Sequence, residues 1–327
     1  MAPLIEENLA LESAAAVLAG GGIAAIPTET VYGLAADASN GSAVARIFEA
    51  KRRPRFNPLI AHVADIAMAE RLAVFDPVSM TLAKSLWPGP LTLVLPRLLD
   101  APVHDLVTAG LETIALRMPK GFGNRLIAKL GRPLAAPSAN SSGRISATTA
   151  QAVQADLGER IDLIVDGGPT PVGVESTIIK VEGKRIVLLR PGGIPVEDIE
   201  KVSGVRVVRD AEGKGVQAPG QLASHYAPRA QVRLDARTVQ PGEALLAFGE
   251  RRAENAANAL AVLNLSPRGD LREAAANLFA YMHRLDDSGA RTIAVEPIPD
   301  HGLGEAINDR LRRAAAPRDV PIVNERA

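Results

Sequence analysis

Short aliphatic runs, each stopped by proline, glycine or a polar loop, recur through the N-terminal part of the chain: GIAAIPT from residue 22, PLIAHVA from 58, PLTLVLP from 90, TIALRMP from 113, PLAAPSAN from 133 and IDLIVDGG from 161. Runs this short and this rich in Ile, Leu and Val read as buried strands rather than helices. Between most of them lie stretches with apolar residues at helical spacing, such as GSAVARIFEAKRR from 41, with Ser42 as N-cap, and ATTAQAVQADLG from 147. Alternation of strand and helix favours parallel pairing. The segment from 176, STIIKVEGKRIVLLR, is different: it alternates around a glycine turn and reads as an antiparallel hairpin. A sheet that accommodates both connections is mixed and curved, not purely doubly wound. TETVYGLAADA, residues 28–38, carries polar residues and a glycine and reads as a loop.

The pattern breaks at residues 210–230, DAEGKGVQAPGQLASHYAPRA, where Gly, Pro and polar residues show no periodicity. That stretch reads as an interdomain linker, so the chain divides into a larger α/β domain over 1–209 and a smaller one over 231–327. The smaller domain has strand-like EALLAFG, ALAVLNL and TIAVEPI and two amphipathic helical segments, from 270 and from 304, a Rossmann-like α/β arrangement.

Lys plus Arg and Asp plus Glu are both 37, giving zero net charge. A chain that coats nucleic acid carries a surplus of cations, so any RNA contact here is expected to be local or indirect. Cysteine is absent, which excludes disulfides, thiolate nucleophiles and Cys-ligated zinc. The N-terminus has early acids and no basic n-region, and no apolar run is long enough to span a bilayer. A soluble, cytoplasmic protein without membrane contact is the expectation.

Several standard chemistries are missing. No G-x-x-x-x-G-K-[ST] and no G-x-S-x-G occurs. The five histidines, at 62, 104, 225, 283 and 301, form no pair at metal-ligand spacing. A metal held by the protein itself is therefore not expected, whereas Mg²⁺ carried in on a nucleotide needs few protein ligands.

What the chain does offer is hydroxyls and cations where strands end, the place where open α/β sheets build sites. Thr28, Thr30 and Tyr32 surround Gly33, as loop caps or as ligand contacts. Lys51, Arg53 and Arg55 flank Pro54, which extends the chain so that alternate side chains project together; they form either a basic helix end or one wall of an anion cleft. Ser138 and Asn140 follow Pro137 and suit a phosphate or ribose, or an ordinary turn. Arg117 and Arg190 end apolar strands and need partners, either a bound anion or an internal Glu. With no built-in nucleophile, thiol or metal cage, this set suits positioning and charge stabilisation at a phosphorus centre.

Taken in order, PTETVYGLAADA, KRRPRFNPLIAHV, WPGPLTLVL, APSANSSGR, DGGPTPVGVESTI, LRPGG and PGQLASHYAP resemble the motifs of the Sua5 branch of the Sua5/YrdC/YciO family. The resemblance covers residues 15–230 as a YrdC-like catalytic domain with its linker, and the remainder as the small domain of the long form. It implies an L-threonylcarbamoyladenylate synthase, a nucleotidyltransferase that converts ATP, L-threonine and bicarbonate into threonylcarbamoyl-AMP and pyrophosphate. Mg²⁺ would arrive with ATP, and a separate transferase would move the product's group to tRNA as the t6A modification.

The resemblance also implies roles for matched residues. Lys51, Arg53, Ser138 and Asn140 would line the triphosphate, with Arg55 and Ser146 beside it, and Arg190 would contact the nucleotide. Thr28 or Thr30, with His62, Arg117 and Ser176, would hold threonine, Arg117 gripping its carboxylate. His225 and Tyr226 of the 210–230 stretch would fold over the cleft as a lid. Lys120, Gly121 and Lys180 depart from the family's usual residues and bear on local substrate contacts. A nucleotide-sized hollow between the basic segment and the Ser138–Asn140 turn is the geometric expectation. Two competing readings, an RNA-binding module without this chemistry and a carbamoyl-transfer enzyme using another amine, predict different behaviour towards salt and towards threonine.

Overall fold

The computed structural model describes residues 1–209, 218–220 and 224–317. Of the expected linker, 210–217 and 221–223 lie outside the described residues. In chain order the first domain contains β1 (Leu4–Glu6), α1 (Glu7–Ala19), β2 (Ala24–Ile26), β3 (Gly33–Asp37), α2 (Gly41–Lys51), β4 (Ile60–His62), α3 (Ile66–Glu70), α4 (Pro77–Leu86), β5 (Leu91–Pro96), α5 (Asp105–Thr108) and β6 (Thr113–Arg117). It continues with α6 (Phe122–Leu130), β7 (Leu134–Ala135), α7 (Ala150–Leu157), β8 (Leu163–Asp166), β9 (Thr177–Glu182), β10 (Arg185–Arg190), α8 (Val196–Ser203) and β11 (Val207–Arg209). The second contains β12 (Gln231–Arg233), β13 (Glu243–Ala247), β14 (Val262–Asn264), α9 (Leu271–Asp286), β15 (Thr292–Val295) and α10 (Leu303–Ala315), with a single 3₁₀ turn at Ala256–Asn258.

The large sheet has the order β1-β8-β2-β3-β7-β4-β6-β5-β9-β10-β11. It is mixed, as the two kinds of connection require: β4 pairs with β6 in parallel, whereas β3 with β7 and β9 with β10 are antiparallel. The second sheet, β12-β15-β13-β14, is parallel throughout, as expected of a Rossmann-like unit.

Two local expectations are corrected. The stretch read as a loop contains β3, a fully buried GLAAD strand clamped between β2 and β7. Gly, Ala and Asp carry little strand preference of their own, so here pairing on both sides overrides propensity. The N-cap of α2 is Asn40 rather than Ser42: its side chain accepts from the Ser42 and Ala43 amides, each at 3.1 Å.

The two domains are not independent bodies. The core of the second, built on Leu278, Phe279 and Met282 of α9, also takes in Val31, Ile145 and Val174 of the first domain and Tyr226 of the connection. Each such side chain contributes about 1.5–3 kcal/mol by leaving water. Gly173 has φ +77°, and a Cβ there would strike the Ala275 carbonyl on α9, so only glycine permits this approach.

Candidate active site

The end of α2 and the loop after β7 meet. Lys51, the last residue of α2, is fully buried and donates from Nζ to the Ser138 carbonyl (2.6 Å) and to the Asn140 carbonyl. The helix stops there because Arg52 adopts a left-handed conformation (φ 52°), which turns the chain inward at Arg53. Arg53 is buried and anchored by Nε to the Asn57 carbonyl (3.2 Å) and Nη2 to the Pro58 carbonyl (2.8 Å).

This geometry replaces the expected alternation of Lys51, Arg53 and Arg55. Pro54 is followed by a turn, closed by the Asn57 amide on the Pro54 carbonyl, and Arg55 on that turn is exposed. It does not line the cavity that Arg53 lines.

That cavity is walled by Thr28, Thr30, Arg53, His62, Arg117, Ser138, Glu175, Ser176 and Arg190, brought together from seven strand ends and loops of the first domain. Thr28 and Thr30 share a hydrogen bond between hydroxyls at 2.9 Å. Ser176 bonds Thr92 at 2.7 Å. Arg190 donates to the Ser176 carbonyl from Nε (3.2 Å) and Nη2 (2.8 Å), and to the Pro219 carbonyl from Nη1 (3.2 Å). Arg117, for which a ligand or an internal Glu was open, has the Glu: its Nη2 lies 2.8 Å from Glu29 Oε2. Ser146 is buried behind the wall, its hydroxyl donating to Glu175 Oε1 at 2.5 Å. Asn140 is also buried, its amide nitrogen tied to the Ser141 and Arg144 carbonyls.

Pro219, Gly220, His225 and Tyr226 complete the wall. They reduce the enclosed space to about 40 Å³, room for a few waters. The nucleotide-sized hollow expected between the basic segment and the Ser138–Asn140 turn is thus filled by the connection between the domains. Tyr226 holds a left-handed backbone (φ 61°) and stacks on Phe279 of α9 (centroids 5.5 Å apart), with the Arg310 guanidinium 5.1 Å from its ring centre. His225 is tied by its amide to the Arg313 carbonyl of α10 at 3.2 Å.

The electrostatics are unusual for a protein interior. Lys51, Arg53 and Arg190 are buried, and the carboxylate in the cavity wall, Glu175, is already engaged by Arg310 at 2.9 Å. Burial, then Arg53, pushes the Lys51 ammonium well below its ordinary value. Burial lowers Arg53 to about 10 and holds His225 at about 3. Burial, aided by Arg117, also keeps His62 neutral. Burial alone would raise Glu175, but Arg310, Arg190 and the Ser146 hydroxyl outweigh it and hold the carboxyl below its usual range. His62 Nε2, His225 Nδ1, the Tyr226 hydroxyl, Asn140 Oδ1 and Arg310 Nη2 are buried without hydrogen-bond partners. Unsatisfied polar groups are rare in folded proteins and concentrate where a ligand belongs. Among the described residues no group of three His, Asp or Glu could hold a metal, and no helix is long and apolar enough to cross a membrane.

Sequence reasoning passed over Glu29, Glu175 and Arg310. The first two stand inside motifs already singled out, TETVYG and GVEST, among flashier hydroxyls. Arg310 lies in NDRLRRAAA, within the second amphipathic helical segment, and only its burial at 0% exposure sets it apart from the neighbouring arginines.

Two family models match the chain: the Sua5/YciO/YrdC model, described as "Telomere recombination", over residues 16–192, and "Threonylcarbamoyl-AMP synthase, C-terminal domain" over 194–316. The threonylcarbamoyl-AMP synthase of Pyrococcus abyssi is 41% identical, with 97% of each chain covered. That of Bacillus subtilis is 42% identical over 95% of this chain and 94% of its own. The crystal structure of P. abyssi Sua5 complexed with L-threonine superimposes with a TM-score of 0.85 at 40% identity, covering 96% of this chain and 97% of the other. Both domains, nearly the whole length and the fold agree, and the chain belongs to the Sua5/YciO/YrdC family in its two-domain form, the threonylcarbamoyl-AMP synthases.

Proposed function

We propose that this cavity makes threonylcarbamoyl-AMP from ATP, L-threonine and bicarbonate in the cytoplasm. The observation that carries the residue assignments is the buried positive charge: Arg53 and Arg190 line a space whose wall carboxylate, Glu175, is already paired with Arg310, and Lys51, outside the lining itself, is buried against the carbonyl of the lining residue Ser138. Buried cations without counter-charges are costly, and a triphosphate supplies the missing ones.

The threonine amine captures bicarbonate, RNH₂ + HCO₃⁻ giving RNHCOO⁻ and water. A carbamate oxygen then forms a bond to the α-phosphorus, and the bond from that phosphorus to the pyrophosphate oxygen breaks. Lys51, Arg53 and Arg190 steady the leaving charge, with Ser138 and Asn140 fixing the phosphate path. Thr28, Thr30, His62, Arg117 and Ser176 hold threonine, and Arg117 takes its carboxylate. Mg²⁺ travels with ATP and adds charge neutralisation to the phosphates; Glu175, the carboxylate in the wall, is occupied by Arg310 and Ser146 and is a poor ligand for it. Arg55 and Ser146 reach the nucleotide only if the wall rearranges. ATP entry requires Pro219, Gly220, His225 and Tyr226 to move outward, and they then close over it. The product passes to a separate tRNA transferase, with direct tRNA contact weak on a chain of zero net charge.

Pyrophosphate release measured with threonine, with serine and with no amino acid tests this reading. Release that depends on threonine and bicarbonate supports it. Release indifferent to the amine would sink it.

A further inference from the structure

The motif Thr28-Glu29-Thr30 splits across its own loop. Thr28 and Thr30 line the front cavity, whereas Glu29 does not; it borders a separate hollow of about 200 Å³ behind the loop. From there its Oε2 reaches Arg117 Nη2 at 2.8 Å and accepts from the Lys120 amide at 3.2 Å, so a backbone group fixes the carboxylate. Arg117 ends β6 in register with His62 on β4 and lines the front cavity. Its Nε donates to the Gly89 carbonyl at 3.3 Å. Among the described residues no hydrogen bond takes up its remaining nitrogen, Nη1. The guanidinium is thus held by one hydrogen bond, at Nε, and by the ion pair at Nη2, which makes no hydrogen bond of its own, with Nη1 left for the cavity.

We propose that Glu29 is a positioning residue for the amino-acid substrate: it orients Arg117 so that Nη1 meets the substrate carboxylate. This rests on the reading of Arg117 given above. A planar fork that is fixed in advance loses less freedom on binding than a mobile one, so the benefit falls on carboxylate recognition and not on the nucleotide. Both partners are buried, at 5% and 8% side-chain exposure, so solvent does not screen the pairing.

The test is calorimetric binding, on the full chain, of L-threonine and of L-threoninol, which lacks the carboxylate. Wild type, Glu29→Ala, Glu29→Gln and Arg117→Gln are compared. Glu29→Ala is expected to lose about tenfold in threonine affinity while threoninol binding stays within about twofold. Glu29→Gln, which keeps an acceptor for the Lys120 amide, is expected to lose about threefold for threonine alone, and it decides the matter if Glu29→Ala does not fold. Arg117→Gln is expected to abolish the preference for threonine over threoninol. If it leaves that preference intact, the Arg117 reading fails. If Arg117→Gln removes the preference while the Glu29 variants retain it, or if the Glu29 variants weaken both ligands equally, the positioning role fails.

Discussion

Arg310, on the last helix of the second domain, lies 2.9 Å from Glu175 in the wall of the first domain's cavity, with both side chains buried. The same guanidinium packs over the Tyr226 ring and donates from Nη1 to the Pro191 carbonyl at 2.8 Å. One side chain therefore ties together the second domain, the connecting segment and the hairpin that carries Arg190. The second domain completes the site from outside it.

Removing Arg310 strands Glu175 in the interior. Arg310→Ala is expected to cost about 3–5 kcal/mol, the usual penalty for an uncompensated buried charge. Adding Glu175→Gln to Arg310→Met should return most of the melting temperature but not pyrophosphate release. Denaturant melts of the single and double variants measure this. Equal stability of Arg310→Ala and wild type would show that the pair is not coupled to folding.

Lys51 and Ser138 should separate chemistry from stability. Lys51→Met leaves the Ser138 and Asn140 carbonyls without their donor, so pyrophosphate release and melting temperature both fall. The Ser138 hydroxyl makes no hydrogen bond to the described protein, so Ser138→Ala is expected to lose activity by about a hundredfold while melting unchanged. A stable Lys51→Met protein would contradict the buried clamp.

His225 gives the connection a pH dependence. Folded, it titrates at about 3, because burial and the cations Arg53, Lys51 and Arg190 outweigh Glu175; unfolded, it returns to about 6.5. Between those values the unfolded chain binds the extra proton. Stability is therefore whole above pH 6.5 and falls as pH drops through this window, by roughly 1.4 kcal/mol per unit for one site. His62 and His283 are shifted the same way and add to the slope. Thermal melts from neutral to acidic pH should fall, and His225→Asn should flatten the fall. An unaltered slope in that variant would assign the effect to the other two.

Deleting residues 231–327 should not leave a healthy first domain. Val31, Ile145 and Val174 would lose the α9 face that covers them, and Glu175 would lose Arg310. The expected product is aggregation-prone and binds a hydrophobic dye. A monomeric truncation with a wild-type melting profile would show that the shared core is dispensable.

Strand and helix positions, the mixed sheet and the motif set were legible along the chain, because aliphatic runs and proline stops act locally. So was the pairing of the basic segment with the Ser138–Asn140 turn, through family resemblance. β3 was hidden because Gly, Ala and Asp become a strand only when neighbours on both sides demand it. Arg55 was misplaced since a turn, not an extended run, follows Pro54. The partner of Arg117, the filling of the cavity by Tyr226 and the burial of Arg310 were decided by tertiary structure alone. Each depends on which distant segment packs against a side chain, and charge in a linear pattern carries no record of whether water or another domain will cover it.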